Sequence, residues 1–127
     1  MGPLGFAAVG VGAAVGAWLR WGFSVMWNAA NPALPYGTLA SNLIGGYLIG
    51  LAVAFFQSHP DLPPEWRLLA ITGFLGGLTT FSTFSSEVLN NLVSGDYRWA
   101  LAHLVLHLGG SVLLTAVGIW SYRTLFA

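Results

Sequence analysis

The chain has 127 residues, 56% of them hydrophobic and only 6% charged, with four arginines, four acids and neither lysine nor cysteine. A soluble domain carries about 25% charged residues, so this composition excludes an ordinary water-soluble fold and calls for a bilayer, where apolar faces meet lipid. A formal net charge of zero leaves no basic footprint for nucleic acid and no polybasic lipid anchor, and the lack of cysteine removes disulfides and thiolate chemistry.

A membrane helix needs roughly 20 apolar residues to cross about 30 Å of hydrocarbon. The first span is predicted over about 4–27, interrupted only by Arg20; the run is too long for the apolar part of a signal peptide. Residues 28–36 (NAANPALPY) carry two prolines and no charge and read as a loop. A second span follows over about 37–56, then the polar loop 57–65 (QSHPDLPPE). The third apolar segment covers about 66–93, SGDY at 94–97 turns the chain, and the fourth covers about 99–125. Trp21, Trp27, Trp66, Trp99 and Trp120 fall near segment ends, as interfacial aromatic belts do. The expected fold is therefore an all-α membrane protein, residues 1–127 forming a single four-helix transmembrane domain with almost no water-soluble part.

The arginines divide evenly between the two sides of the membrane. Arg67 and Arg123 lie on the side of the termini and second loop; Arg98 lies on the other, joined by Arg20 if it snorkels. Orientation is normally set by an excess of Lys and Arg on the cytoplasmic side. Two against two gives no such instruction. The chain can then insert both ways up and pair antiparallel about a two-fold axis in the membrane plane; the alternative is one topology fixed by the N-terminal amine and the placement of Arg20. An interface between protomers offers more room for a pathway than four short helices do.

The third segment holds Gly73, Gly76 and Gly77, then six hydroxyl residues among positions 79–86, then Glu87. Glycine weakens a helix and hydroxyls compete for its backbone groups. An interruption at this depth is tolerated only where the freed groups are buried or line a wet cavity. Exposed carbonyls there suit a hard cation such as Na⁺, and exposed N–H groups suit an anion. The other reading of the same residues is close helix packing. Phe81 and Phe84 share a helix face at spacing three, where the positive edges of their rings can solvate an anion or simply pack.

Asn42 lies inside the second span with Thr38 and Ser41 nearby; its amide can donate to an anion or bond another helix. Glu87 sits near an interface or is buried with a hydroxyl or amide partner, and it reads as peripheral to an anion path, which its charge would repel. In the fourth span His103, His107, Ser111 and Thr115 recur every four residues, making one polar stripe. The stripe is either an ion or proton track or the seam to another helix. His103 and His107 have the spacing of two metal ligands on one helix, but no third ligand is evident in sequence. Arg20 follows the small-residue face 10–16 and reads as a headgroup anchor or an anion attractor.

Together these residues resemble the bacterial fluoride channel family, called Fluc or CrcB. Gly12-Ala-Ala-Val-Gly16 leading to Arg20-Trp21, Gly37-Thr38-Leu39 with Asn42 and Gly45, and above all Gly73 to Glu87 (GFLGGLTTFSTFSSE) carry the match. Ala13 departs from it where the family often has a second glycine. The resemblance implies a passive fluoride channel, not an enzyme, exporting cytoplasmic fluoride across the bacterial plasma (inner) membrane. It further implies a dual-topology antiparallel homodimer with two pores at its interface and the third helix broken in mid-membrane. It implies pore residues Asn42, Phe81, Thr83, Phe84, Ser111 and Thr115, and a structural Na⁺ on the backbone carbonyls of Gly76 and Thr79. The partners implied are fluoride, a second copy and the bilayer, with no nucleic acid. Composition and spacing do not by themselves select fluoride over chloride.

Two rival classes fit less well. A proton-coupled exporter of cationic drugs needs a central carboxylate, and the first span has none. A haem-binding anchor needs histidines on opposite sides of the ring, whereas His103 and His107 sit on one helix face. No nucleophile–base set for enzymatic chemistry is present.

Overall fold

The computed structural model describes residues 1–126. It is all-helical, with four helical runs long and apolar enough to cross a membrane: Pro3–Ala30, Tyr36–Ser58, Pro64–Val93 and Tyr97–Leu125, of 28, 23, 30 and 29 residues. Each exceeds the ~20 residues a bilayer core requires. The chain is a multi-pass membrane protein.

Helix α1 (Pro3–Trp27) starts on a proline in its first turn, where the missing N–H would have had no helical partner. A 3₁₀ turn (Asn28–Ala30) and an Asn31 side chain accepting the N–H groups of Ala33 and Leu34 carry the chain around. Helix α2 is Tyr36–Ser58. The third span is two helices: α3 (64–78), which widens to π-helical pitch over Leu68–Leu75, and α4 (Phe81–Val93). Between them Thr79 (φ −89°, ψ 153°) and Thr80 (φ −148°, ψ 118°) are extended. The expected interruption is therefore real and falls midway along the span. A tight turn follows, in which Gly95 takes φ +78°, a conformation side chains resist. Helix α5 (Tyr97–Leu125) also widens to π-helical pitch, over Leu104–Gly109.

Glycine seams hold the bundle together. A methyl group placed on Gly73 would stand 2.8 Å from the Val9 carbonyl oxygen, and one on Gly46 would stand 2.9 Å from that of Ser111. Gly12, Gly16 and Gly77 make the α1–α3 approach equally close, and Gly50 and Gly118 do so for α2–α5. Lipid removes the hydrophobic drive for helices to associate, so close backbone contact and hydrogen bonds replace it. The interior accordingly holds polar side chains, Thr38, Ser41, Asn91, His103, His107 and Ser121, beside buried Leu75, Leu78 and Phe84. Trp18, Phe6, Val112 and Leu113 point outward, the reverse of a soluble protein's arrangement.

Candidate functional site

The break between α3 and α4 is built by side chains that replace the helix's own hydrogen bonds. In an unbroken helix the Thr80 N–H would bond the Gly76 carbonyl. Here it donates to Asn42 Oδ1 on α2 at 2.8 Å, and Asn42 Nδ2 donates back to the Thr80 carbonyl at 3.0 Å. The side-chain amide thus reads one residue's backbone as a neighbouring strand would, and this pair of bonds fixes which way the amide points. Its second hydrogen goes to His107 Nδ1 at 2.9 Å. Both amide hydrogens are therefore engaged within the chain, as in the second of the two readings the sequence leaves open, a bond to another helix.

Thr80 caps α4: its Oγ1 accepts the Thr83 N–H at 3.2 Å and donates to Thr83 Oγ1 at 3.2 Å. Capping takes from the Thr79 carbonyl the N–H that a continuous helix would have given it. Gly76 loses its donor to Asn42 in the same way. Arg20 lies deeper than a headgroup anchor would. Its Nε donates to the Gly77 carbonyl at 3.0 Å, a charge-assisted bond to the C-terminal end of α3, where positive charge is favoured. Gly45 matters for a related reason, since a side chain there would collide with the Thr79 methyl.

Phe81 and Phe84 pack edge to face with centroids 5.3 Å apart, but their surroundings differ. Phe84 is buried against the His107 ring at 4.8 Å, whereas Phe81 is 70% exposed. Beside them lies a cavity of about 430 Å³ whose lining includes Gly76, Thr79, Phe81, His107, Ser111 and Thr115. The fourth-span stripe turns inward toward α2: Ser111 Oγ reaches the Asn42 carbonyl at 3.4 Å, and Thr115 Oγ1 donates to the Gly46 carbonyl at 2.9 Å. Within the chain it is a helix seam, and its Ser111–Thr115 end also borders the cavity.

Glu87 takes the buried one of its two expected settings, with a hydroxyl partner. Its Oε2 accepts from Thr38 Oγ1 at 2.7 Å, and its Oε1 faces His103 Nε2 at 3.2 Å. His103 Nδ1 lies 3.1 Å from the Trp99 carbonyl. A carbonyl only accepts, so Nδ1 carries its hydrogen, and one proton must lie between Nε2 and the carboxylate. Thr38 is itself held by Asn28, whose Oδ1 accepts its N–H at 3.0 Å. Sequence reasoning missed this convergence because Glu87 and His103 lie on different helices; no periodicity links them.

Fold and site together define a small polytopic membrane protein with a polar interior organised around an interrupted helix. Residues 7–119 match the family model described as CrcB-like protein, Camphor Resistance (CrcB). The fluoride-specific ion channel FluC of Cupriavidus metallidurans is 83% identical over 125 residues, covering 98% of this chain and 99% of that protein. Those of Ralstonia nicotianae and Pseudomonas putida are 70% and 60% identical, covering 98% and 91% of this chain and 99% and 91% of their own. The chain belongs to the CrcB/FluC family of fluoride-specific ion channels. These relatives are channels, not enzymes.

Proposed function

We propose that this chain is a passive, fluoride-selective channel that exports cytoplasmic fluoride across a bacterial plasma membrane. Residues 1–127 act as one four-helix unit, and two units pair antiparallel with a pore on each side of the interface. The observation that carries the reading is the break at Thr79–Thr80, clamped by Asn42 and bordered by a cavity whose open side presents Gly76 and Phe81. An apolar ring and a bare glycine backbone exposed beside polar groups suit a second copy of the chain. With Arg20 held on the Gly77 carbonyl inside the bundle, Arg67 and Arg123 on one side face Arg98 on the other, a difference of one charge that leaves both orientations open.

Fluoride holds its water tightly, so a pore must replace hydration with several weak donors in series. Thr83 offers a hydroxyl, Ser111 and Thr115 offer theirs by turning from the Asn42 and Gly46 carbonyls, and Phe81 and Phe84 offer ring edges. Asn42 serves the path chiefly by shaping it, as the clamp on Thr80. The Gly76 and Thr79 carbonyls, freed by Asn42 and by the Thr80 cap, are hard oxygen donors of the kind Na⁺ takes. When bound, Na⁺ would tie together the interrupted helices of both copies.

The test is ion efflux from liposomes reconstituted with the purified protein and loaded with potassium fluoride or potassium chloride. Fluoride should empty rapidly after valinomycin is added while chloride stays trapped, and Phe81→Ile should slow the fluoride. Chloride release as fast as fluoride release would refute the proposal.

A further inference from the structure

His103, His107 and Glu87 form a cluster that the fluoride pathway does not require. One ligating atom from each lies within 4.8 Å of the other two. Both imidazoles are buried, at 0% and 3% exposure, and their rings stack at 5.5 Å. Glu87 supplies the third ligand that is not evident in the sequence.

Three features fit the trio to a metal ion. The His103 Nδ1–H donates to the Trp99 carbonyl and aims Nε2 at Glu87, the outer-sphere bond that fixes a ligating histidine. Thr38 orients the second carboxylate oxygen in the same manner. The third feature is His107 Nε2, a buried nitrogen with no hydrogen-bond partner, a condition costly to leave unmet. Two imidazoles and one carboxylate suit zinc and its late first-row neighbours, with a fourth position left open. His107 and Phe84 also line the cavity beside the break, which gives an ion a route in.

We propose that Glu87, His103 and His107 bind one late first-row divalent cation, and that its binding arrests conduction. Binding displaces the proton shared by Glu87 and His103 and leaves a carboxylate and two neutral imidazoles on the metal. The coupling to conduction follows from His107. Its Nδ1 now accepts from Asn42. Coordination through Nδ1 consumes that lone pair, and coordination through Nε2 moves the ring hydrogen to Nδ1, where it meets a donor. Either route ends the Asn42–His107 bond and loosens the amide that clamps Thr80. This site is distinct from the carbonyl set offered to Na⁺, which is a hard cation. Only the arrest of conduction rests on the channel reading; the binding does not.

Equilibrium zinc binding to the purified protein carrying His59→Ala, which removes the exposed loop histidine, should saturate at one ion per chain. Adding His103→Gln should weaken binding by about 100-fold or more. Because that variant can misfold, cobalt(II) added to the otherwise native protein gives a second reading: intense visible absorption of a four-coordinate site is expected. In liposomes zinc should slow fluoride efflux by about tenfold or more, and a chelator should restore it. Absence of saturable binding, binding indifferent to His103→Gln, or the faint spectrum of six-coordinate cobalt would overturn the site. Saturable binding with undiminished efflux would overturn the arrest.

Discussion

Replacing Asn42 by alanine removes three hydrogen bonds at once: 2.8 Å from the Thr80 N–H, 3.0 Å to the Thr80 carbonyl and 2.9 Å to His107. Interhelical hydrogen bonds inside membranes average about 0.6 kcal/mol and reach about 1.7 kcal/mol. Three of them give about 2 to 5 kcal/mol, and the lower bound is already a factor of ~30 in population. The loss is concentrated at one residue, so the bundle persists while the break relaxes. With its acceptor gone, the Thr80 N–H is left without a partner and the break loosens, so the Gly76 and Thr79 carbonyls lose their fixed place at the cation site. Amide hydrogen exchange at Thr80 reads the clamp directly. Fluoride efflux reads the consequence. In Asn42→Ala the Thr80 amide should exchange about 30-fold faster or more, and efflux should fall at least about tenfold. Circular dichroism and gel-filtration volume should stay as in the native protein. Native exchange at Thr80 together with efflux within twofold of native (~0.4 kcal/mol) would refute the clamp.

Two further outcomes separate packing from capping. Gly16→Ala should lower the thermal midpoint and Gly10→Ala should not: a methyl at Gly16 meets the Phe74 carbonyl and the Leu78 nitrogen, whereas one at Gly10 meets nothing within 4 Å. Overpacking costs about 1–3 kcal/mol, while alanine in an open helix position gains up to ~1 kcal/mol over glycine. Thr80→Val keeps the side chain's shape but deletes the cap on the Thr83 N–H. It should cost about 1 kcal/mol and speed hydrogen exchange at Thr83 several-fold, with exchange in the middle of α2 unchanged.

The four helices were legible because span length and apolar content are one-dimensional properties. The interruption was legible too, since Gly76 and Gly77 weaken a helix for one reason and Thr79 and Thr80 for another. The manner in which it is held was not. Asn42 in the second span can bond any helix, and only the tertiary structure shows that it completes the backbone of Thr80, 38 residues away. Arg20 misleads in the same way. Its position near the end of an apolar run suggests headgroups, yet the close α1–α3 approach carries it to the Gly77 carbonyl. Glu87 was hardest, because a lone carboxylate gives no sign of a partner 16 residues on.

These three cases share a cause that bears on how the site works. Lipid cannot satisfy a polar group, so every one that leaves the regular helix pattern must find a partner inside the protein. The break frees backbone groups on both of its sides, and three of them are met from other helices: Arg20 on α1 takes the Gly77 carbonyl, and Asn42 on α2 takes both groups of Thr80. His107 on α5 then steadies Asn42. The interruption is thus a property of the whole bundle, not of the glycines that permit it. A change at Asn42 or Arg20 alters the break without touching its sequence. The carbonyls of Gly76 and Thr79 differ from the others, because their lost helical donors have been taken by Asn42 and by the Thr80 cap. They are the oxygens to which a cation or a second subunit has the most to offer.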